Sequence, residues 1–324
     1  MKGVHPVLYQ DPAHCRKLWE SLWPARVLFD LWPVRWCFHK AFDRPLVFQA
    51  AEKTGRTVGL LALCRNDEAG TYVQFPGETW QGKTWLEQNR VIAHTPDILE
   101  TLLDAVPGPV HLRYIKYRTG LNRTGLLHPD ETRYLFFPAS FGFSFDTYWQ
   151  SIPGKTRKKL NADLRKLEAQ EVCISEGTVS DMDHLFRLNL AAFGPDAYFY
   201  DPRFLHAFEL LAEFLNKMGM LRITCVHIKG RLAAVDMGAL WKGTYTLLAG
   251  GTSPEFPGVA KLINRHHLQW ACRQKLKCVD FLCGDFNWKQ RFRLTPVPLF
   301  ELTTHPLVHK AGIHADDHRH VRCA

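Results

Sequence analysis

No apolar run in the chain approaches the roughly 20 residues that a spanning helix needs, which excludes an integral membrane protein built on helices. No apolar stretch follows Met1-Lys2-Gly3-Val4-His5-Pro6 in the manner of a secretory signal. The expected protein is soluble and cytoplasmic. The nine cysteines, an odd number, contain no C-x-x-C pair. Cys225 and Cys283 lie inside apolar runs, so these thiols read as small buried hydrophobes, not as zinc ligands or a disulfide framework. No metal is expected. Acidic residues are in deficit, 32 Asp and Glu against 41 Lys and Arg, which leaves a formal charge of +9. That balance favours an anionic ligand or partner and says nothing about fold. The remaining composition is ordinary: 324 residues, 46% apolar and 23% charged, fit a globular protein of two domains or one large one.

The chain resembles itself. Leu46–Ala51, the turn residues Glu52-Lys53-Thr54-Gly55-Arg56 and Thr57–Leu63 form a hairpin signature, and so do Ile223–Ile228, Lys229-Gly230-Arg231 and Leu232–Leu240. A third strand follows each, Thr71–Phe75 and Thr244–Leu248. Then comes a helical stretch, Pro96–Val106 and Val259–Leu276, and a closing strand, Val110–Ile115 and Val279–Leu282. The order strand, turn, strand, strand, helix, strand therefore occurs twice, which predicts a duplicated α/β architecture. The expected division is an N-terminal domain over residues 1–140, a C-terminal domain over 141–304 and a His-rich tail over 305–324. The first 40 residues hold Trp19, Trp23, Trp32 and Trp36, with Pro24 and Pro33 expected to break them into short helices.

Between the copies lies a basic helical segment, Lys155–Gln170. Leu160, Leu164 and Leu167 form one apolar stripe at i, i+4, i+7, while Arg157, Lys158, Lys159 and Arg165 lie off it. These four cations are expected to meet a polyanion, or else to form a solvated face. No aromatic residue is interleaved among them to stack bases, which argues against sequence-specific RNA reading.

The second copy carries the chemistry. Gly250-Gly251 and the loop Ser253–Gly258 lead into the helix opening at Val259. A glycine-containing loop at a helix N-terminus gathers unpaired N–H groups and the positive end of the helix dipole, and a diphosphate suits such a place. The expected donor-binding residues are Gly251, Pro257, Gly258, Val259, Ala260 and Lys261. After the helix comes Cys278-Val279-Asp280-Phe281-Leu282-Cys283, then Gly284-Asp285-Phe286-Asn287-Trp288-Lys289-Gln290-Arg291-Phe292.

On Pro257, Gly258, Leu262, Asp280, Phe281, Leu282, Gly284, Asp285, Trp288, Lys289, Arg291 and Phe292, the sequence resembles the CelD/FemAB-like branch of the GNAT acyltransferase superfamily. The basic segment resembles that family's Arg/Lys-rich helix at the start of its second domain. The resemblance spans about residues 145–295 and implies tandem GNAT-like domains, each a mixed, mostly antiparallel sheet flanked by helices. It also implies N-acyl transfer, often in envelope or exopolysaccharide assembly. Two features depart from it: Glu255-Phe256-Pro257-Gly258-Val259-Ala260 keeps a single glycine of the usual pyrophosphate loop, and Trp288 stands where a tyrosine is common.

Acyl transfer to an amine needs a neutral amine, a polarised carbonyl and a protonated leaving group. Asp285, just beyond a strand end, is placed to take the amine proton, or to cap the next turn and pair with Lys289 or Arg291. Lys289 is placed to neutralise phosphate or an oxyanion, or to join a surface ion pair. Asp236, between Val235 and Met237 in an apolar strand, is a charge that burial penalises unless it is paired or functional. Of His266 and His267, one imidazole faces the cleft, or both are satisfied within the helix. The leading reading is acyl-CoA as co-substrate with an acceptor such as a nucleotide-sugar or a lipid-linked diphosphate. A second keeps the fold and changes the donor to aminoacyl-tRNA. A third, of another class, is a non-catalytic GNAT-like binding module.

Overall fold

A computed structural model describes residues 3–116, 125–284 and 287–304. They form two compact units: residues up to Glu131 with His206–Phe208 and the segment from Pro298, and Thr132–Leu205 with Glu209–Val297.

The first unit begins with strand β1 (Val4–Tyr9) and helices α1 (Pro12–Leu22) and α2 (Trp32–Phe42). Strands β2 (Leu46–Lys53), β3 (Arg56–Asn66) and β4 (Thr71–Gln74) follow. The short strands β5 (Thr79–Trp80), β6 (Lys83–Thr84) and β7 (Ile92–Ala93) lead to α3 (Pro96–Asp104) and β8 (His111–Ile115). Asp11 caps α1 by accepting from the His14 amide, and Pro12 occupies the first turn, where its missing N–H costs nothing. The tryptophan-rich segment divides into two short helices as expected, with Pro24 in the break and Pro33 in the opening turn of α2 for the same reason. The sheet order is β1-β2-β3-β4, antiparallel throughout, and β8 begins with a parallel bridge from Val110 to Tyr72 of β4. The β3 side chains alternate between two cores. Leu61 and Leu63 meet Leu99 and Leu102 of α3, whereas Leu60, Ala62 and Cys64 meet Trp19, Trp23 and Trp32. The tryptophans are thus core residues of this unit.

Strand β9 (Leu127–Phe136) carries the chain into the second unit. There α4 (Phe145–Ser151) and α5 (Gly154–Glu168) precede β10 (Val172–Glu176), α6 (Met182–Phe193), α7 (Pro202–Lys217), β11 (Leu221–Ile228), β12 (Arg231–Trp241) and β13 (Thr244–Thr252). Helix α8 (Val259–Arg273), β14 (Cys278–Asp280), the short helix α9 (Asn287–Arg291) and β15 (Thr295–Thr303) complete the order. The order β-α-α-β-β-β-α-β runs from Val172 to Asp280, and the run from Val4 to Ile115 has the same order with the short strands β5, β6 and β7 added before its last helix. Matching turns close the matching hairpins. Thr54 (φ 48°) and Gly55 (φ 73°) join β2 to β3, and Lys229 (φ 51°) and Gly230 (φ 71°) join β11 to β12. Two consecutive residues with positive φ give a loop whose twist matches the flanking strands. The expected fold class holds: each unit is α/β, with a mixed, mostly antiparallel sheet and flanking helices.

Two features of the second unit position the site. Strand β14 pairs in parallel with β13 only over Thr244–Thr246, while β13 runs on to Thr252, so the pairing ends a third of the way along β13. Helix α5 packs on α8 through the predicted stripe: Leu164 and Leu167 share a core with Val259, Leu262 and Ile263.

Candidate functional site

The loop Ser253–Gly258 is short and internally bonded, with the Phe256 amide donating to Ser253 O and the Val259 amide to Phe256 O. Gly258 takes φ 93°, a conformation that favours glycine, and starts α8 with no side-chain cap. A Cβ at Gly258 would meet only Leu167 of α5, at 3.8 Å. The opening turn of α8 therefore lies beside α5. Lys261 donates to Asp163 of α5 at 2.6 Å, and Arg265 pairs with Glu168 one turn on. The Lys261 bond holds the Asp163 carboxyl below the usual range, and Lys159 and Lys166 push in the same direction. Of the two groups of residues expected from the sequence, Lys261 of α8 and Lys159 of α5 thus come near each other, through Asp163.

Not all of the α5 cations are free. Arg157 donates to the carbonyls of Gln150 and Ile152, and Arg165 to that of Asn161. Lys158 and Lys159 are exposed. Gly251 belongs elsewhere. A Cβ there would lie 2.5 Å from Leu185 O and 2.8 Å from Leu188 Cβ of α6, so close packing of the helix on β13 explains this glycine.

Asp236 sits on β12, fully buried, with Oδ2 2.9 Å from His267 Nε2 of α8. Burial raises its pKa, and the His267 contact opposes the rise. Around the pair lie the hydroxyls of Thr224, directly across on β11, and Tyr245 of β13; both are buried without a hydrogen-bond partner. Gly238 makes room for the tyrosine, since a Cβ there would stand 2.3 Å from the Tyr245 ring. His266, next along α8, is pushed down to about 4, first by burial and then by the charge of its neighbours, including Arg222. The sequence pairs His266 with His267 without separating them. The structure does: His267 is the carboxylate's partner. Tyr245 was missed, although a glycine inside an apolar strand is a sequence signal for close approach.

The segment after β14 is clamped. Asp280 receives Arg133 Nε and Nη2 at 2.9 and 2.6 Å, in a buried two-pronged pair, and also accepts from the Leu282 amide. Leu282 has φ 56°, a strained value for a branched side chain. Its carbonyl is held by the Tyr134 amide and by Lys289. Lys289 is neither a surface ion pair nor free to meet an oxyanion. It is buried, and its Nζ donates to the carbonyls of Phe281, Leu282 and Cys283 at 2.9, 3.0 and 2.6 Å. Phe292 fills the core below, beside Trp288. Most of the motif shared with the resembled family is thus structural, fixing the backbone that ends at Gly284. Asp285 and the tail 305–324 lie outside the described residues.

This arrangement, a parallel strand pair joined by a helix and paired only over its first residues, agrees with what comparison of the sequence finds. Residues 154–290 match the acetyltransferase (GNAT) domain family. That segment is similar to a GNAT domain. Among solved structures, FemX is similar with a TM-score of 0.55 at 10% identity, over 91% of this chain and 96% of that one. L-PGS from Bacillus licheniformis gives 0.55 at 11%, over 92% and 94%. A tandem GNAT protein from the clavulanic acid biosynthesis pathway gives 0.53 at 13%, over 94% and 99%. At such identities the likeness is one of fold, and here it extends beyond the GNAT segment to almost the whole chain. No curated protein matches the sequence. Among the described residues no helix is long and apolar enough to cross a membrane.

Proposed function

We propose that the protein is an N-acyltransferase that moves an acyl group from acyl-CoA to an amino group, the acceptor being an envelope or exopolysaccharide precursor such as a nucleotide-sugar or lipid-linked diphosphate. The observation that carries this reading is the meeting of α8's first turn, which has no side-chain cap, with α5 through the Lys261–Asp163 pair, in a unit whose strands β13 and β14 pair only over Thr244–Thr246. A diphosphate placed there gains the helix dipole and the charges of Lys159, Lys166 and Lys261 together. The edge of β13 past Thr246 then offers backbone groups to the acyl-bearing arm.

In the reaction the amine nitrogen attacks the thioester carbonyl carbon, a C–N bond forms, the C–S bond breaks and the CoA sulfur takes up a proton. We assign the removal of the amine proton to Asp285, whose neighbour Gly284 ends the clamped segment. Lys289 acts on this step only by holding that segment, and Asp236 by fixing α8 through His267. A second reading, aminoacyl transfer from aminoacyl-tRNA, draws on the exposed Lys158 and Lys159 and on the single glycine of the loop.

Thermal unfolding separates the two. A ligand at 100 times its dissociation constant adds about 2.7 kcal/mol of stability. Acetyl-CoA or a longer acyl-CoA is expected to raise the melting temperature, and Asp285→Asn to keep that rise while losing turnover. A rise with tRNA alone transfers the donor assignment to the second reading; no rise with any CoA removes the first.

A further inference from the structure

Helix α5 carries six cations against two acids, Asp163 and Glu168. Its buried stripe of Leu160, Leu164 and Leu167 fixes which way the helix faces. On the opposite side, at the i, i+3, i+4, i+7 spacing that keeps residues on one face, stand Lys155, Lys158, Lys159, Arg165 and Lys166, with Ala162 among them. All five of those cations are exposed. No acid shares the ridge. Asp163 and Glu168 lie on its flanks, where Lys261 and Arg265 of α8 pair with them. Lys159 and Lys166 still act on Asp163, but that carboxylate's own partner is Lys261, at 2.6 Å. Each acid of α5 is thus balanced from α8, and the charge of the ridge is left without an offset on its own helix.

The kind of cation narrows the partner. Both arginines are tied to main-chain carbonyls, Arg157 to those of Gln150 and Ile152 and Arg165 to that of Asn161. The other four are lysines, point charges on flexible stems that answer to charge density without the two-pronged geometry by which arginine grips a single phosphate. The ridge is convex, being the outer side of a helix whose inner side packs on α8, and it holds no aromatic residue. Single-stranded nucleic acid is held instead in grooves with aromatic platforms. Nor does the ridge present a large apolar side chain for insertion into hydrocarbon. An extended surface of diffuse negative charge complements it, met by ammonium groups along about 16 Å of helix.

We propose that the outer ridge of α5 is a docking surface for an anionic phospholipid membrane, held by charge alone and without insertion. Docking there carries the opening turn of α8, which α5 flanks, close to the lipid headgroups. The inference rests on α5 and stands whatever the second unit transfers.

The test is sedimentation of the full chain with vesicles of phosphatidylcholine alone and of equal parts phosphatidylcholine and phosphatidylglycerol. Binding is expected to the mixed vesicles only, and to be lost as sodium chloride rises from ~0.1 to ~0.5 M and the screening length contracts. A lysine near an anionic surface is worth about fivefold in partitioning, so Lys155→Gln/Lys158→Gln should bind about 25-fold more weakly. Lys155→Ala/Lys158→Ala takes its place if the glutamine pair fails to fold. Lys17→Gln/Lys217→Gln removes the same charge from exposed positions on α1 and α7 and should stay near wild type. Equal binding to both kinds of vesicle would mean apolar adsorption, and equal losses from the two lysine pairs a response to net charge. No binding to the mixed vesicles at low salt, with tRNA bound instead through Lys155 and Lys158, would make the ridge a nucleic-acid surface; without tRNA binding either, it would be a solvated face. Each of these four results overturns the proposal.

Discussion

The Asp236–His267 pair is where single residues bear most on the second unit. The carboxyl is fully buried and its pKa is raised by that burial, so ionising it costs the folded state more than the unfolded one. Between the unfolded value near 3.8 and the raised folded one, the folded chain keeps a proton that the unfolded chain has released. Stability must then fall as pH rises through that window. Asp236→Asn has no proton to lose and keeps a polar group against His267 Nε2, so its stability relative to the wild type should climb over the same range. Urea midpoints of both proteins from pH 4 to pH 7 check this. A difference that does not change with pH would mean the carboxyl feels no net burial penalty. Little of this pair was legible in advance: Asp236 drew attention as a charge in an apolar strand, but only the α8 register decides which of two adjacent histidines reaches it.

Elements were more legible than side chains, for a physical reason. Strand and helix periodicity is local, so the hairpins around Gly55 and Gly230, the helices starting at Pro96 and Val259 and the stripe Leu160, Leu164, Leu167 can all be read from nearest neighbours in sequence. What a lysine such as Lys289 touches is set by folding. Three carbonyls at the end of β14 converge on its Nζ, and no spacing rule announces that. The contact between α5 and α8 mixes the two kinds of information and lets them be weighed. Leu164 is 1% exposed in the shared core, whereas the Lys261–Asp163 pair lies partly in water. Apolar burial should therefore outweigh the ion pair. Leu164→Ala is expected to cost about 2–5 kcal/mol and Asp163→Asn no more than about 1 kcal/mol, both measured by urea unfolding. Equal costs would show that the charged pairs, not the leucines, hold the basic helix in place.

At the scale of the whole chain, the order β-α-α-β-β-β-α-β occurs twice, with β5, β6 and β7 added in the first run, so two stretches of low mutual identity build the same succession of elements. That repetition does not make the first unit a contiguous piece. The sequence suggests a single division near residue 140, whereas the first unit also takes in the segment from Pro298. That segment is not peripheral. Leu302 is fully buried in the core that holds Leu99, Leu102 and Leu112, and it pairs with Leu112 of β8. The hydroxyl of Thr304 receives the Val110 amide, and the Thr304 amide donates to Val110 O. The order of synthesis therefore separates partners that the first unit needs together, and this long-range closure has a loop-entropy cost that local contacts do not carry. Leu302→Ala tests its weight. The expected loss is about 2–5 kcal/mol for a buried leucine, and hydrogen exchange of the full chain should show it as faster exchange at the Leu99, Leu102 and Leu112 amides, far away in sequence. Faster exchange confined to residues 299–303 would mean instead that β15 only leans on a unit that is complete by Glu131.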